Sequence, residues 1–360
     1  MKPTSFDFLT TPAGKLSDDT YAHWLGLHQT VEAYRSPFFH PEFTRMMSEI
    51  LANVEVTIIR SEGRNVGYFP YVRSNANVAQ PVGLNFTDYQ GMILEDGVSI
   101  DPMQVIKAAR LSAWNFDHLH NVDTKTSPYA LSHAPSHYLD LTGGYDNYVA
   151  ARNAAGTKIF TQIRQNQRKL EKNCGQIELI TKTVKQEDID WLATMKSSQL
   201  KFMKVFDYFE NSWTMAFLST LTRRNTNGFE GLLSKMLVNG QLVAIHLGIH
   251  SGKTAHSLIP VYAPDYSKYS PGIILFGMVA EQNAKLGIQR FELGLGREEF
   301  KLSLASNAQP LYTGTVDRRT FNRLVKQSWT LGKEVVRQSS IGPTAQKLVR
   351  RIKSLTTPTG

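Results

Sequence analysis

The stretch YSKYSPGIILFGM, residues 266–278, joins a strong helix start to a missing counter-charge. Ser270 suits an N-cap, Pro271 suits the first helical position and Gly272 clears a side chain from the backbone, with Ile273 and Ile274 completing the first turn. No Asp or Glu occupies that turn, although its free N–H groups and the helix dipole make it electropositive. Lys268 adds a positive charge just upstream. The turn therefore suits a foreign anion such as a phosphate, or else only water at an ordinary capped terminus. Downstream, FELGLGREEFK (291–301) alternates Phe291, Leu293 and Leu295 with Glu292, Gly294 and Gly296, so Glu292 leaves the apolar face. A carboxylate there can orient or deprotonate a nucleophile, or serve as the buried partner of a basic residue.

Two further groups qualify for chemistry. QLVAIHLGIH (241–250) sets Ala244, His246, Gly248 and His250 on one strand face, expected to line a cleft, and His246 is the second candidate base. A metal shared by His246 and His250 is not expected, because four strand residues span about 13 Å. Arg164 and Arg168 lie four apart, share a helix face and can bind an anionic acceptor such as a nucleotide-linked sugar.

The apolar body IILFGMVAEQNA, closed by Gly287, reads as a crossover helix between parallel strands. Its start then emerges at the carboxyl ends of the strands, where α/β sheets bind ligands. EVTIIRSEGRNVGYFPYVRS (55–74) reads as a hairpin around Gly-Arg-Asn. GLLSKMLVNGQLVAIHLGIHSG (231–252) reads as another around Asn239-Gly240. The first is followed by a strand at YQGMILE (89–95), a helix at DPMQVIKAARLSAW (101–114) and a strand at FDHLHNV (116–122). The second is followed by AHSLIPVY, the helix from Ser270 and RFELGL. Both halves thus read hairpin, strand, helix, strand: two copies of one α/β unit. The expected divisions are 1–142, 143–316 with the anion site, and a basic helical tail over 317–360.

The 360 residues are 41% hydrophobic and 20% charged, as in ordinary globular proteins, with a net charge of +9 that favours anionic partners. Part of that charge lies in KIFTQIRQNQRKLEK (158–172), whose apolar residues recur at helical spacing. A single cysteine, Cys174, excludes an internal disulfide and a cysteine-based zinc cluster, and no metal is expected. No segment reads as a signal peptide or a transmembrane span, so the expected location is cytoplasmic.

The block from Tyr262 to Ser306 resembles the C-terminal motif region of the double-GNAT (CelD-like) acyltransferases of cellulose or exopolysaccharide biosynthesis. The matching residues are Tyr262, Tyr266, Ser270-Pro271-Gly272, Glu292, Gly296, Glu298 and Phe300-Lys301. Members more often carry Asp at Glu292 and Tyr at Phe300. The resemblance implies two GNAT-like halves with mixed sheets flanked by helices, and a helix start that holds the pyrophosphate of acetyl-CoA or another acyl-CoA. It also implies substrate contacts by Tyr262 and Glu298, a phosphate or carboxylate contact by Lys301, and a glycan-precursor or envelope acceptor. Fem-type aminoacyl transferases share the plan and would make aminoacyl-tRNA the donor. A non-catalytic scaffold that meets a membrane surface or an assembly complex through the basic tail is the third reading.

Overall fold

The computed structural model describes residues 5–296 and 298–319. The first half comprises β1 (Phe6–Pro12), α1 (Asp18–Thr30), α2 (Pro41–Ile50), β2 (Val54–Ser61), β3 (Arg64–Arg73), β4 (Val78–Gln80), β5 (Ile93–Leu94), α3 (Pro102–Ala108), β6 (Ala113–Leu119) and β7 (Ala130–Asp140). The second begins with α4 (Tyr145–Ala154), α5 (Ile159–Cys174), β8 (Ile177–Ile180), α6 (Gln186–Phe202), α7 (Ser212–Arg223) and β9 (Asn225–Thr226). It continues with β10 (Phe229–Val238), β11 (Gln241–Ser251), β12 (Thr254–Tyr262), α8 (Pro271–Lys285), β13 (Arg290–Leu295), α9 (Glu299–Leu304) and β14 (Asn307–Asp317). The basic tail beyond Arg319, with its proposed membrane or partner contacts, lies outside the described residues.

Both hairpins form. Asn239 and Gly240 take φ of 50° and 77°, the doubly left-handed turn that matches strand twist. The first hairpin turns one residue earlier than Gly-Arg-Asn implies, at Glu62 (φ 52°) and Gly63 (φ 78°), because that pair supplies the same geometry. YQGMILE is not the third strand of the first unit. Ile93 and Leu94 pair there with β3, and Gln90 makes a single parallel bridge to Leu119 of β6, while β4 takes the third-strand place and runs parallel to the start of β6. The helix expected over 101–114 ends at Ala108; Arg110 turns left-handed (φ 55°) and β6 starts at Ala113.

The described strands join one sheet in the order β1-β2-β3-β4-β6-β14-β7-β13-β12-β11-β10-β8, with β5 beside β3 and β9 beside β10 off this path. The parallel neighbours β4/β6 and β12/β13 flank α3 and α8, which makes each the crossover helix of its unit. The expected division at 142/143 falls between β7 and α4, yet the sheet runs through it. β7 pairs with β13, and β14 lies between β6 and β7. One apolar cluster, including Trp24, Phe43, Phe217, Ile245 and Ile259, draws on both halves. A second, with Leu170, Phe276 and Phe291, packs α5 and α8 onto the opposite face of the second unit. Burying a continuous core across the units fixes their relative placement. Among the described residues, no helix is long and apolar enough to cross a membrane.

Candidate active site

The start of α8 has no acid in its first turn, but Ser270 does not cap it. A 3₁₀ turn over Pro264–Tyr269 runs directly into Ser270, which must reverse the chain and so adopts a left-handed conformation (φ 54°, ψ 53°) with its hydroxyl off the helix N–H groups. The Ser270 carbonyl instead accepts from Ile273 N (3.1 Å) and Ile274 N (3.3 Å). Pro271 has no N–H, so the first-turn donor left for a ligand is the Gly272 N–H. Tyr262, 37% exposed, lies across this point: a Cβ on Gly272 would stand 3.2 Å from its ring. Two ammonium groups lie near the ring of Tyr269, just upstream of the turn, with Lys268 Nζ 5.1 Å and Lys169 Nζ 5.9 Å from its centre.

Beside this helix start the sheet opens. β12 and β13 pair only where Thr254, Ala255 and His256 meet Arg290, Phe291 and Glu292. Beyond that point β12 runs on to Tyr262 and β13 to Leu295 without pairing each other, and a bulge at Gly294 turns β13 toward β7. Each lip of the gap carries a lysine. Lys196, from α6, donates to the Pro260 carbonyl of β12 (3.4 Å), and Lys301, from α9, donates to the Leu295 carbonyl of β13 (2.7 Å). Burial and then the Lys301 charge hold the Lys196 ammonium below the usual lysine range. Lys301 also meets Glu298 Oε2 at 3.5 Å. Burial, followed by the Lys301 charge, likewise lowers His137 on β7, whose Nε2 is buried without a hydrogen-bond partner.

Glu292 stands at the closed apex of the gap, fully buried. Its Oε1 accepts from Arg290 Nε, and the Arg290 guanidinium lies 3.5 Å over the Tyr138 ring. This is the buried-ion-pair alternative for Glu292. Its Oε2 makes no hydrogen bond of good geometry, and Tyr89 is pushed well above the usual tyrosine range by burial and then by the Glu292 charge.

His246 and Gly248 line a small pocket of about 40 Å³ beside α8, together with Ser234 and Asn283. α8 covers that strand face, and the ring, 2% exposed, packs against Phe276 and Phe291 and is hydrogen-bonded to Ser257 Oγ (2.8 Å). Burial pushes its pKa down to about 4. Arg164 and Arg168 lie exposed on α5, which packs on α8. Lys196 carries no sequence signal, because its place beside β12 depends on how α6 crosses the sheet.

A doubled α/β unit with a splayed parallel pair and an acid-free helix start beside the opening is the GNAT fold, present in tandem. Residues 157–302 match the family described as acetyltransferase (GNAT) domain. Among solved structures, FemX is similar at 7% identity and TM-score 0.56, over 88% of this chain and 99% of that one. A tandem GNAT protein from the clavulanic acid biosynthesis pathway gives 12% and 0.52, over 87% and 98%. The C-terminal domain of a putative lysylphosphatidylglycerol synthetase from Agrobacterium fabrum gives 13% and 0.52, over 89% and 98%. At these identities the likeness is one of fold. No curated protein matches in sequence.

Proposed function

We propose that the chain transfers an acyl group, acetyl first, from acyl-CoA to an amino or hydroxyl group of a glycan precursor or cell-envelope component. The observation that carries this reading is the gap between β12 and β13, which ends at the α8 start. Two strand edges that do not pair with each other suit an extended donor arm bearing amide groups, as in strand addition. The Gly272 N–H, the helix dipole, Lys268 and Lys169 suit its phosphates. The resemblance over residues 262–306 supports the glycan or envelope acceptor.

In the transfer, the acceptor nitrogen or oxygen bonds to the acyl carbon and the carbon–sulfur bond breaks. The thiolate gains the proton that the nucleophile loses. The chain's part is to hold the two reactants together, exclude water and offer positive charge where the carbonyl oxygen becomes anionic. Lys196 and Lys301, on the two lips, are the cations placed for that.

Thermal unfolding with and without acetyl-CoA tests the donor. At a hundred times Kd the ligand adds about 2.7 kcal/mol of stability. Absence of a shift at saturating acetyl-CoA would remove the reading, and protection by tRNA but not by coenzyme A would reassign the donor to aminoacyl-tRNA.

A further inference from the structure

Beyond His256 and Glu292, β12 and β13 no longer pair, so no backbone hydrogen bonds between them close the sheet there. On one face lies α8; on the other, the first half presents a cavity of about 360 Å³ lined by Asp88, Asp117, His118, Asn85 and Gln80 among others. Asp88 ties this cavity to the apex of the gap. Its Oδ2 lies 3.7 Å from His256 Nδ1, at the last paired position of β12, and 3.2 Å from where a Cβ on Gly294 of β13 would stand. His256 is fully buried; its Nε2 is hydrogen-bonded to Ser36 Oγ (3.0 Å), while Nδ1 has no hydrogen-bond partner and faces the Asp88 carboxylate. That carboxylate is 26% exposed, so it is open to a ligand.

On the same cavity, Asp117 is held by Gln90 Nε2 (2.7 Å) and His118 Nδ1 (2.8 Å). Burial opposes the charged form of His118, but the Asp117 hydrogen bond and the charges of Asp117 and Asp88 raise its pKa overall. The described lining thus holds two carboxylates and no Lys or Arg, on a chain whose net charge is +9. A neutral hydroxyl does little to offset a half-buried carboxylate, whereas an ammonium group pairs with it. The Asn85 and Gln80 amides add donors and acceptors suited to hydroxyls.

Resting on the acyltransferase reading, we propose that the acceptor is a primary amine on a hydroxylated, sugar-like scaffold, bound in this cavity with its ammonium on Asp88. The ammonium passes one proton to the Asp88 carboxylate, which frees the nitrogen lone pair; the amine, on the face of the sheet opposite α8, then bonds to the acyl carbon at the gap and its second proton goes to the departing thiolate. The exposed Arg164 and Arg168, on α5 beside α8, are on the wrong face to hold it.

The test uses the full chain, calorimetry, and three probes of one skeleton: glucosamine, glucose and glucuronate. Glucosamine is expected to bind at least tenfold tighter than glucose, and glucuronate more weakly than either. Asp88→Asn should abolish the preference, and Asp117→Asn, an exposed and structurally mild change, should reduce it. The thermal shift given by acetyl-CoA should be the same in both variants. Equal binding of glucose and glucosamine, no binding of the amine, or a preference that survives both substitutions would overturn the proposal. An amine preference lost in Asp88→Asn with no response to acetyl-CoA would instead leave the pocket assignment standing and remove the donor reading.

Discussion

Replacing Gly272 by glutamate separates folding from donor binding, because the two respond with opposite sign. In the free protein a carboxylate in the first turn of α8 supplies the acid that the turn lacks, a gain of about 0.3–1 kcal/mol. Removing a helical glycine adds up to about 1 kcal/mol. Against these stands the new Cβ, 3.2 Å from Tyr262, a ring 37% exposed and free to yield. The melting temperature should therefore hold or rise slightly. A phosphate at the Gly272 N–H, by contrast, would lie about 5 Å from the new carboxylate. At an effective dielectric near 20 that repulsion is about 3 kcal/mol per charge pair, and screening at this half-exposed site reduces it toward about 1.5. The dissociation constant for acetyl-CoA, measured by calorimetry, should rise roughly ten- to a hundredfold. Unchanged affinity in a folded variant would refute the phosphate seat, and a collapse in stability would refute the account of the helix start.

Lys301→Met should slow acyl transfer at least tenfold and, by removing a neighbouring charge, raise the Lys196 pKa; slower acetylation of Lys196 by acetic anhydride at neutral pH, followed by mass spectrometry, reads the second effect. His28 and His40 meet edge to face, with ring centres 4.7 Å apart, and bond across to Ser251 and Asn227 of the second half, and burial pushes their pKa values down to about 3 and about 4. Both are neutral in the fold and titrate near 6.5 when unfolded, so the unfolded state binds more protons below that pH. Their contribution is complete above pH 6.5 and is lost as pH falls toward 4, at about 1.4 kcal/mol per unit for each. The loss of stability in urea unfolding between pH 7 and pH 5 should then be about 2 kcal/mol smaller in His28→Gln than in the parent chain; an equal loss in both would contradict the buried neutral pair. Lys235→Met leaves Asp188 buried without the ammonium that now holds both its oxygens at 2.8 and 2.9 Å, and should cost about 3–5 kcal/mol in urea unfolding.

The hairpin at Asn239-Gly240, the limits of α8 and its role as a crossover between parallel strands were legible in the sequence. Each follows from the conformational preferences of a few adjacent residues and from apolar periodicity. The acid-free first turn of α8 was legible too, since it is a local fact, although the left-handed Ser270 narrowed the free donors to Gly272. For His246, alternation gives the strand face without saying what covers that face; here α8 does, leaving a small pocket. The third strand of the first unit was misplaced because a three-residue strand such as β4 is specified by its neighbours β3 and β6 rather than by its own composition. Only the tertiary structure placed Lys196 opposite Lys301, inserted β14 between β6 and β7, and brought Asp88 to the end of the β12/β13 pairing. Sequence by itself fixes short-range torsional and periodic preferences; the gap, its two lysines and the acidic pocket arise where segments tens to hundreds of residues apart pack on one sheet, and there burial and pairing decide.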